Sequence, residues 1–285
     1  MKNVLITGAT SGIGKVASIE LANAGHHVLA LSRNPAKSQT LLDDYNETQS
    51  QTKGKLEIVK GDLSILEGLQ DAIDDVKERI DQPDILINNA GIWNFSFRES
   101  ANHIEETLQV NVLAPAILTH AFLPEMTKNG GRLIFTSSGL HQGEINFEDM
   151  EFRSKYSGFK AYRQSKLMNI MIARYLSQKY GAMGLEAYSQ HPGFVNTKLG
   201  RDAPLLARLF FKWFGKSPAK GAHNLIYLSK EEVENLENGA YYKDMKPDNA
   251  TSYSQQMSVA AELVRHLENL IPNNYLKDRK LFEMS

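Results

Sequence analysis

Short strand-like runs alternate with helical stretches up to residue 190, and this rhythm leaves few folds open to the chain. Strands are predicted at Asn3–Thr7, His27–Ser32, Leu56–Lys60, Asp84–Asn88, Arg132–Ser137 and Leu185–Gln190. Helices are predicted between them, at Gly12–Ala24, Ala36–Thr48, Ile65–Ile80, Ile104–Met126 and Tyr156–Tyr180. The strands are nearly unbroken apolar runs, as strands covered on both faces must be. Parallel strands need a crossover, and here each crossover is a helix. The pattern therefore predicts an α/β fold, a doubly wound parallel sheet of Rossmann type with helices on both faces. No linker rich in Pro, Gly or Ser divides the chain, so 1–285 reads as a single domain. After residue 192 the rhythm gives way to loops and helices, and 192–230 is expected to be an insertion that covers the ligand crevice.

Charge and composition remove several function classes. Lys plus Arg number 32 and Asp plus Glu 33, which leaves no global field to attract nucleic acid or an anionic membrane. The absence of cysteine excludes disulfides, thiolate metal sites, iron–sulfur clusters and cysteine nucleophiles. His26, His27, His103, His120, His141 and His223 lack metal-ligand spacing, so no metal is expected. Asp43-Asp44 and Asp74-Asp75 read as solvated helix faces. Met1-Lys2 leads straight into the first strand without a signal sequence, and no run of about 18 apolar residues offers a membrane span. A soluble, cytoplasmic protein is the expectation. The longest apolar cluster, Leu205–Phe214, carries Arg208 and Lys212. It reads first as a lid over substrate, with a core helix, a peripheral membrane contact or a homo-oligomer contact as the other readings.

The sharpest local signal is Thr7-Gly8-Ala9-Thr10-Ser11-Gly12-Ile13-Gly14, which follows the first strand and opens the first helix. Glycines let the backbone turn tightly and approach a pyrophosphate, and the helix start offers free N–H groups. Gly8, Thr10, Ser11, Gly12, Ile13 and Gly14 are therefore expected to hold a dinucleotide. The glycine spacing differs from the usual dinucleotide fingerprint, and no P-loop lysine follows. At the end of the second strand, where an NAD site places a carboxylate, stands Arg33. A guanidinium pairs with a ribose 2′-phosphate that a carboxylate would repel, so NADP(H) is favoured over NAD(H). Asp62, with Leu63 beside it, is expected to contact the adenine or to cap the helix starting near Ser64.

Tyr-x-x-x-Lys occurs at Tyr156/Lys160, Tyr162/Lys166, Tyr175/Lys179 and Tyr242/Lys246. On a helix the two residues share a face, and a nearby ammonium lowers a phenol's pKa. Local chemistry does not separate Tyr156 from Tyr162.

On its motifs the chain resembles the short-chain dehydrogenase/reductase family over nearly its whole length. Gly8, Gly12 and Gly14 match that family's cofactor turn, and Asn88-Asn89-Ala90-Gly91 its motif after the fourth strand. Asn111 in Val110-Asn111-Val112 matches the helix asparagine, and Ser138 the catalytic serine. Tyr162-Arg163-Gln164-Ser165-Lys166 matches the Tyr-x-x-Ser-Lys form that the other pairs lack, and Pro192-Gly193 with Thr197 matches the segment closing over the nicotinamide. Arg33, the long Ser138-to-Tyr162 segment, His191-Pro192-Gly193 and Ser217–Ala222 are similar to the retinol dehydrogenase-like and WW-domain oxidoreductase-like branch.

The resemblance implies a carbonyl reductase or alcohol dehydrogenase acting with NADP(H) on a medium-sized apolar aldehyde, ketone or alcohol. Tyr162 would exchange a proton with the substrate oxygen, and Lys166 would lower the phenol pKa and bind the nicotinamide ribose. Ser138 would hold the substrate oxygen, and Asn111 would position a water in a proton relay. Asn89, Ala90 and Gly91 join the cofactor set. Trp93, His141, Phe147, Phe152 and Tyr156 are candidate pocket residues. The competing readings are a 3-oxoacyl-thioester reductase and a catalytically idle NADP-binding regulatory module.

Overall fold

In the computed structural model, which describes residues 1–48, 54–193, 217–276 and 280–284, β1 (Asn3–Thr7) lies inside the sheet. It pairs in parallel with β2 (His27–Ser32) on one side and β4 (Ile85–Asn88) on the other. β3 (Lys55–Lys60), β5 (Arg132–Thr136), β6 (Glu186–His191), β7 (Tyr241–Lys243) and β8 (Lys246–Asp248) complete the order β3-β2-β1-β4-β5-β6-β7-β8. Every neighbouring pair is parallel except the terminal β7–β8 hairpin. Chain order reverses between β1 and β4, so the turns leaving these strands face each other across a crevice.

The apolar strands supply two cores at once, because successive side chains point to opposite faces. Val4, Ile6, Ile85, Ile87 and Ile134 join one core with residues of α1 (Gly12–Asn23), α2 (Pro35–Glu47) and α7 (Pro218–Lys230). Leu5, Leu86, Leu133 and Phe135 join the other with α3 (Leu66–Arg79), α5 (Ala114–Lys128), α6 (Gly158–Tyr180) and α8 (Met257–Leu270). This is the doubly wound sheet that the strand composition implies.

The structure departs from the sequence pattern in four places. The helix expected over Ile104–Met126 is a short α4 (Glu106–Leu108), a π-helical turn at Gln109–Leu113, and then α5. Asn111 sits in that turn. The helix expected from Tyr156 begins at Gly158, because the Ser157 side chain accepts the Lys160 N–H and caps it there. Sheet formation continues beyond residue 192, with β7 beside β6. Three-residue strands are too short to show periodicity. Within the expected insertion 192–230, residues 218–230 form α7, which packs on α1 and on β5 and β6 as a sheet-covering layer. Residues 194–216, including Thr197 and the 205–214 cluster, lie outside the described residues.

The C-terminal stretch lies over α5 and α6. Both ring nitrogens of buried His120 on α5 are engaged there, Nε2 with the Leu276 carbonyl at 3.2 Å and Nδ1 with the Phe282 N–H at 3.1 Å. Among the described residues, no helix is long and apolar enough to cross a membrane.

Candidate active site

The turn after β1 is built on absent side chains. Gly8 and Gly12 have φ of 65° and 57°, in the left-handed region. A Cβ on Gly8 would stand 2.8 Å from the Ala90 Cα, and one on Gly14 would collide with the Gly8 carbonyl oxygen. Asn89 ties the turn to the end of β4, its Nδ2 donating to the carbonyls of Thr7 at 3.0 Å and Gly8 at 3.3 Å. Thr7 Oγ1 accepts the backbone N–H groups of Asn89 and Ala90, both at 3.0 Å. Sequence reasoning did not single out Thr7; its signal is a hydroxyl residue at a strand end, directly before the glycine. Ser11 precedes α1 in an extended conformation and its side chain makes no cap bond. The helix start therefore presents its own N–H groups, with Thr10 beside them in the turn and the Ile13 side chain buried. A turn this tight, closed by contacts that only glycine permits and ending at free helix N–H groups, is of the kind that can take a pyrophosphate.

At the end of β2, Arg33 reaches across to Asp62. Its Nη1 lies 3.2 Å from both carboxylate oxygens, and its side chain is 61% exposed. Burial pushes the Asp62 pKa up, but the Ser64 N–H and hydroxyl and the Arg33 charge outweigh it and hold the carboxyl below its ordinary value. Asp62 does not cap α3. That helix starts at Leu66, whose N–H goes to Asn102 Oδ1 at 2.9 Å. Leu63 is buried, and its carbonyl accepts from Gln109 Nε2 at 3.3 Å.

The four tyrosine–lysine pairs separate in three dimensions. The Tyr156 hydroxyl donates to Glu105 Oε1 at 2.9 Å, outside α6, and burial raises its pKa. Tyr175 and Lys179 pair at an exposed helix end. Tyr242 accepts the Glu237 N–H and belongs to β7. Tyr162 alone among them has Ser138 beside it, a hydroxyl that favours its phenolate; Ser138 stands just beyond β5 and accepts the Leu140 N–H at 3.1 Å.

Lys166, one turn along α6, donates from Nζ to the Thr136 carbonyl at 3.0 Å, and Nζ is 5.5 Å from the centre of the Tyr162 ring. Burial pushes the phenol up to about 12, against the Ser138 hydroxyl, and pushes the lysine down to about 8. Both groups are withdrawn from water, and desolvation penalises phenolate and ammonium alike.

Asn111 closes the far side. Its Oδ1 accepts the Ile92 N–H at 2.8 Å, and its Nδ2 donates to the Ile92 carbonyl and to Ser165 Oγ, both at 3.0 Å. The π-helical turn carries this asparagine out of regular helical register, as such turns often do at functional sites. A Cβ on Gly91 would lie 3.1 Å from Lys166 Nζ and 3.5 Å from Asn111 Oδ1, so glycine keeps the space between them open.

Trp93 lies flat on the Tyr162 ring, with centroids 4.5 Å apart at 10°, and stacks on Phe95 at 5.0 Å. Of the other pocket candidates, Phe147 packs on His266, Tyr156 is held by Glu105, and Phe152 sits at a turn with φ of 53°. His141 lines a cavity of about 420 Å³ beside the Ser138 segment, together with Gly139, His191, Gly193, Tyr241 and Asp248. Pro192 borders a second space of about 210 Å³ with His223 and Asn224. No local pattern assigns Tyr241 to this region, because it arrives on a three-residue strand far along the chain.

A profile of the family described as short chain dehydrogenase matches residues 2–204. Retinol dehydrogenase 14 of Mus musculus is 32% identical over 279 residues, covering 92% of this chain and 83% of that protein. A Streptomyces sp. (strain C5) protein named for daunorubicin C-13 ketoreduction is 32% identical over 264 residues, covering 92% of this chain and 90% of that protein. Among solved structures, a Mycobacterium paratuberculosis protein superposes with a TM-score of 0.76 at 28% identity, covering 95% of this chain and 93% of that chain.

Proposed function

The chain belongs to the short-chain dehydrogenase family, oxidoreductases acting on alcohol and carbonyl groups, and on that premise we propose that it is an NADP(H)-dependent carbonyl reductase or alcohol dehydrogenase. The observation that carries the reading is the Ser138 side chain standing beside the buried Tyr162 hydroxyl, with Lys166 buried one helical turn away. Bound nicotinamide supplies or accepts the hydride. During reduction the Tyr162 hydroxyl gives its proton to the carbonyl oxygen, and during oxidation it takes the proton back. The Ser138 hydroxyl holds that oxygen as negative charge develops on it. Lys166, held near 8 by burial, stays largely protonated at neutral pH and would bind the nicotinamide ribose. Asn111 keeps its Oδ1 toward the gap left by Gly91, where a water between it and Lys166 completes a proton relay.

The turn of Gly8, Thr10, Ser11, Gly12, Ile13 and Gly14 takes the pyrophosphate, while Asn89, Ala90 and Gly91 flank the nicotinamide half with Pro192 and Gly193. Arg33 uses one nitrogen on Asp62, so its remaining donors are available to a 2′-phosphate. That supports NADP(H) over NAD(H). The Phe95–Trp93–Tyr162 stack favours a medium-sized apolar substrate, in keeping with the retinol and daunorubicin in the names of two relatives.

NADPH oxidation measured with a panel of aldehydes, ketones and quinones tests the reading. Turnover that disappears in Tyr162→Phe supports it. Tight NADPH binding without turnover of any member would replace it with a regulatory binding module.

A further inference from the structure

One peptide plane in this site is held at both ends. The Ser138 carbonyl accepts from His141 Nδ1 at 2.7 Å and from the Tyr241 hydroxyl at 3.1 Å. The N–H of the same peptide unit, on Gly139, donates to His191 Nδ1 at 2.9 Å. The three side chains come from the loop after β5, from β7 and from the end of β6, so three separate elements converge on two backbone atoms. His141 and Tyr241 also touch edge to face, with ring centres 4.9 Å apart. Glycine at 139 is what lets the His191 ring approach, for a Cβ there would meet Nε2 at 3.2 Å and Cε1 at 3.4 Å.

These contacts define the proton positions. A carbonyl only accepts, so the His141 proton is on Nδ1. A backbone N–H only donates, so His191 Nδ1 is bare, the ring is neutral and its proton is on Nε2. Rotation of the Ser138–Gly139 peptide plane would break all three bonds together. The next peptide carries the Leu140 N–H that holds the Ser138 Oγ at 3.1 Å, so losing the clamp would release the serine hydroxyl as well.

We propose that His191, supported by His141 and Tyr241, is a positioning residue that fixes the Ser138–Gly139 peptide and thereby aims the Ser138 hydroxyl at the reacting oxygen. The inference rests on the reading of Ser138 as the group that holds the substrate oxygen. None of the three side chains transfers a proton in it.

The discriminating variants are His191→Asn and His191→Leu. Asparagine places Oδ1 where Nδ1 stands and still accepts the Gly139 N–H, whereas leucine has similar bulk and no acceptor. In the full-length protein, His191→Leu lowers kcat for carbonyl reduction roughly 10–100-fold, less than the 10²–10³ lost with a direct oxyanion donor. NADPH affinity stays unchanged, and His191→Asn recovers kcat to within about threefold of wild type. Tyr241→Phe, which keeps the ring and loses one of two donors, gives a smaller loss of about 3–10-fold.

A double-mutant cycle separates positioning from general damage. In a Ser138→Ala background, neither His191→Leu nor Tyr241→Phe lowers kcat further. Independent losses in that background overturn the proposal. A Ser138→Ala variant with wild-type turnover would instead overturn the reading of Ser138 itself. Should leucine at 191 fail to fold, Tyr241→Phe carries the same cycle. Nitrogen-15 NMR of the histidines needs no turnover: the Nε2–H tautomer of His191 supports the clamp, and the Nδ1–H tautomer refutes it.

Discussion

Lys166→Met removes the buried ammonium beneath Tyr162 and should make the cofactor-free protein more stable while abolishing turnover. Lys166 is 3% exposed, and burial brings its pKa from 10.5 to about 8. That fall corresponds to roughly 3 kcal/mol by which the folded state disfavours the charged lysine. The sign follows from proton counting. Between pH 8 and 10.5 the unfolded chain still holds the proton that the folded chain has released, so stability rises with pH across that window. Below pH 8 the full penalty remains. Methionine of similar length has no charge to desolvate, and the Thr136 carbonyl left behind retains the Asn169 Nδ2 at 3.5 Å. Allowing about 1 kcal/mol for the lost hydrogen bond, the variant should gain about 2 kcal/mol at pH 7. Urea unfolding of wild type and variant at pH 7 and pH 9.5 is the assay, with the comparison cancelling groups common to both. The stability gap should narrow by roughly 2 kcal/mol at the higher pH. A gap that stays constant or widens with pH, or a variant less stable at pH 7, would refute the argument. A functional lysine kept at a cost in stability is the trade expected at an active site.

Three further outcomes follow from the geometry. Tyr162→Phe should nearly abolish turnover with NADPH binding intact, whereas Tyr156→Phe should keep most activity and lose about 1 kcal/mol of stability with its bond to Glu105; steady-state kinetics and thermal melts distinguish the two. Arg33→Asp should reverse cofactor preference, by about 10-fold or more, because it replaces a phosphate partner with a repulsive charge beside Asp62; direct titration of both cofactors by the wild type checks it, and tighter NAD(H) binding there would sink the reading. Gly14→Ala should weaken NADPH binding by at least about 1.4 kcal/mol, a factor of ten, because the added methyl meets the Gly8 carbonyl oxygen and Asn89 Nδ2; calorimetric titration measures it.

The sequence by itself determined the layered architecture. Unbroken apolar strands such as Val4–Ile6 and Ile85–Ile87 bury both faces, and that is legible without any tertiary contact because it is a property of each segment alone. The turn of Gly8, Gly12 and Gly14 was legible for the same reason, since its backbone demands act on consecutive residues. What the residues alone left open was which tyrosine stands in the site, and family resemblance pointed to Tyr162. The tertiary structure separates the candidates physically: Ser157 starts α6 after Tyr156, while the end of β5 brings Ser138 to Tyr162. Only the tertiary structure decided how deeply the pair is buried, and that burial opposes phenolate and ammonium alike. It alone also brought Tyr241 and His191 onto the Ser138–Gly139 peptide, across 103 and 52 residues of chain. Such contacts depend on which strands become neighbours in the sheet, and no local pattern encodes that.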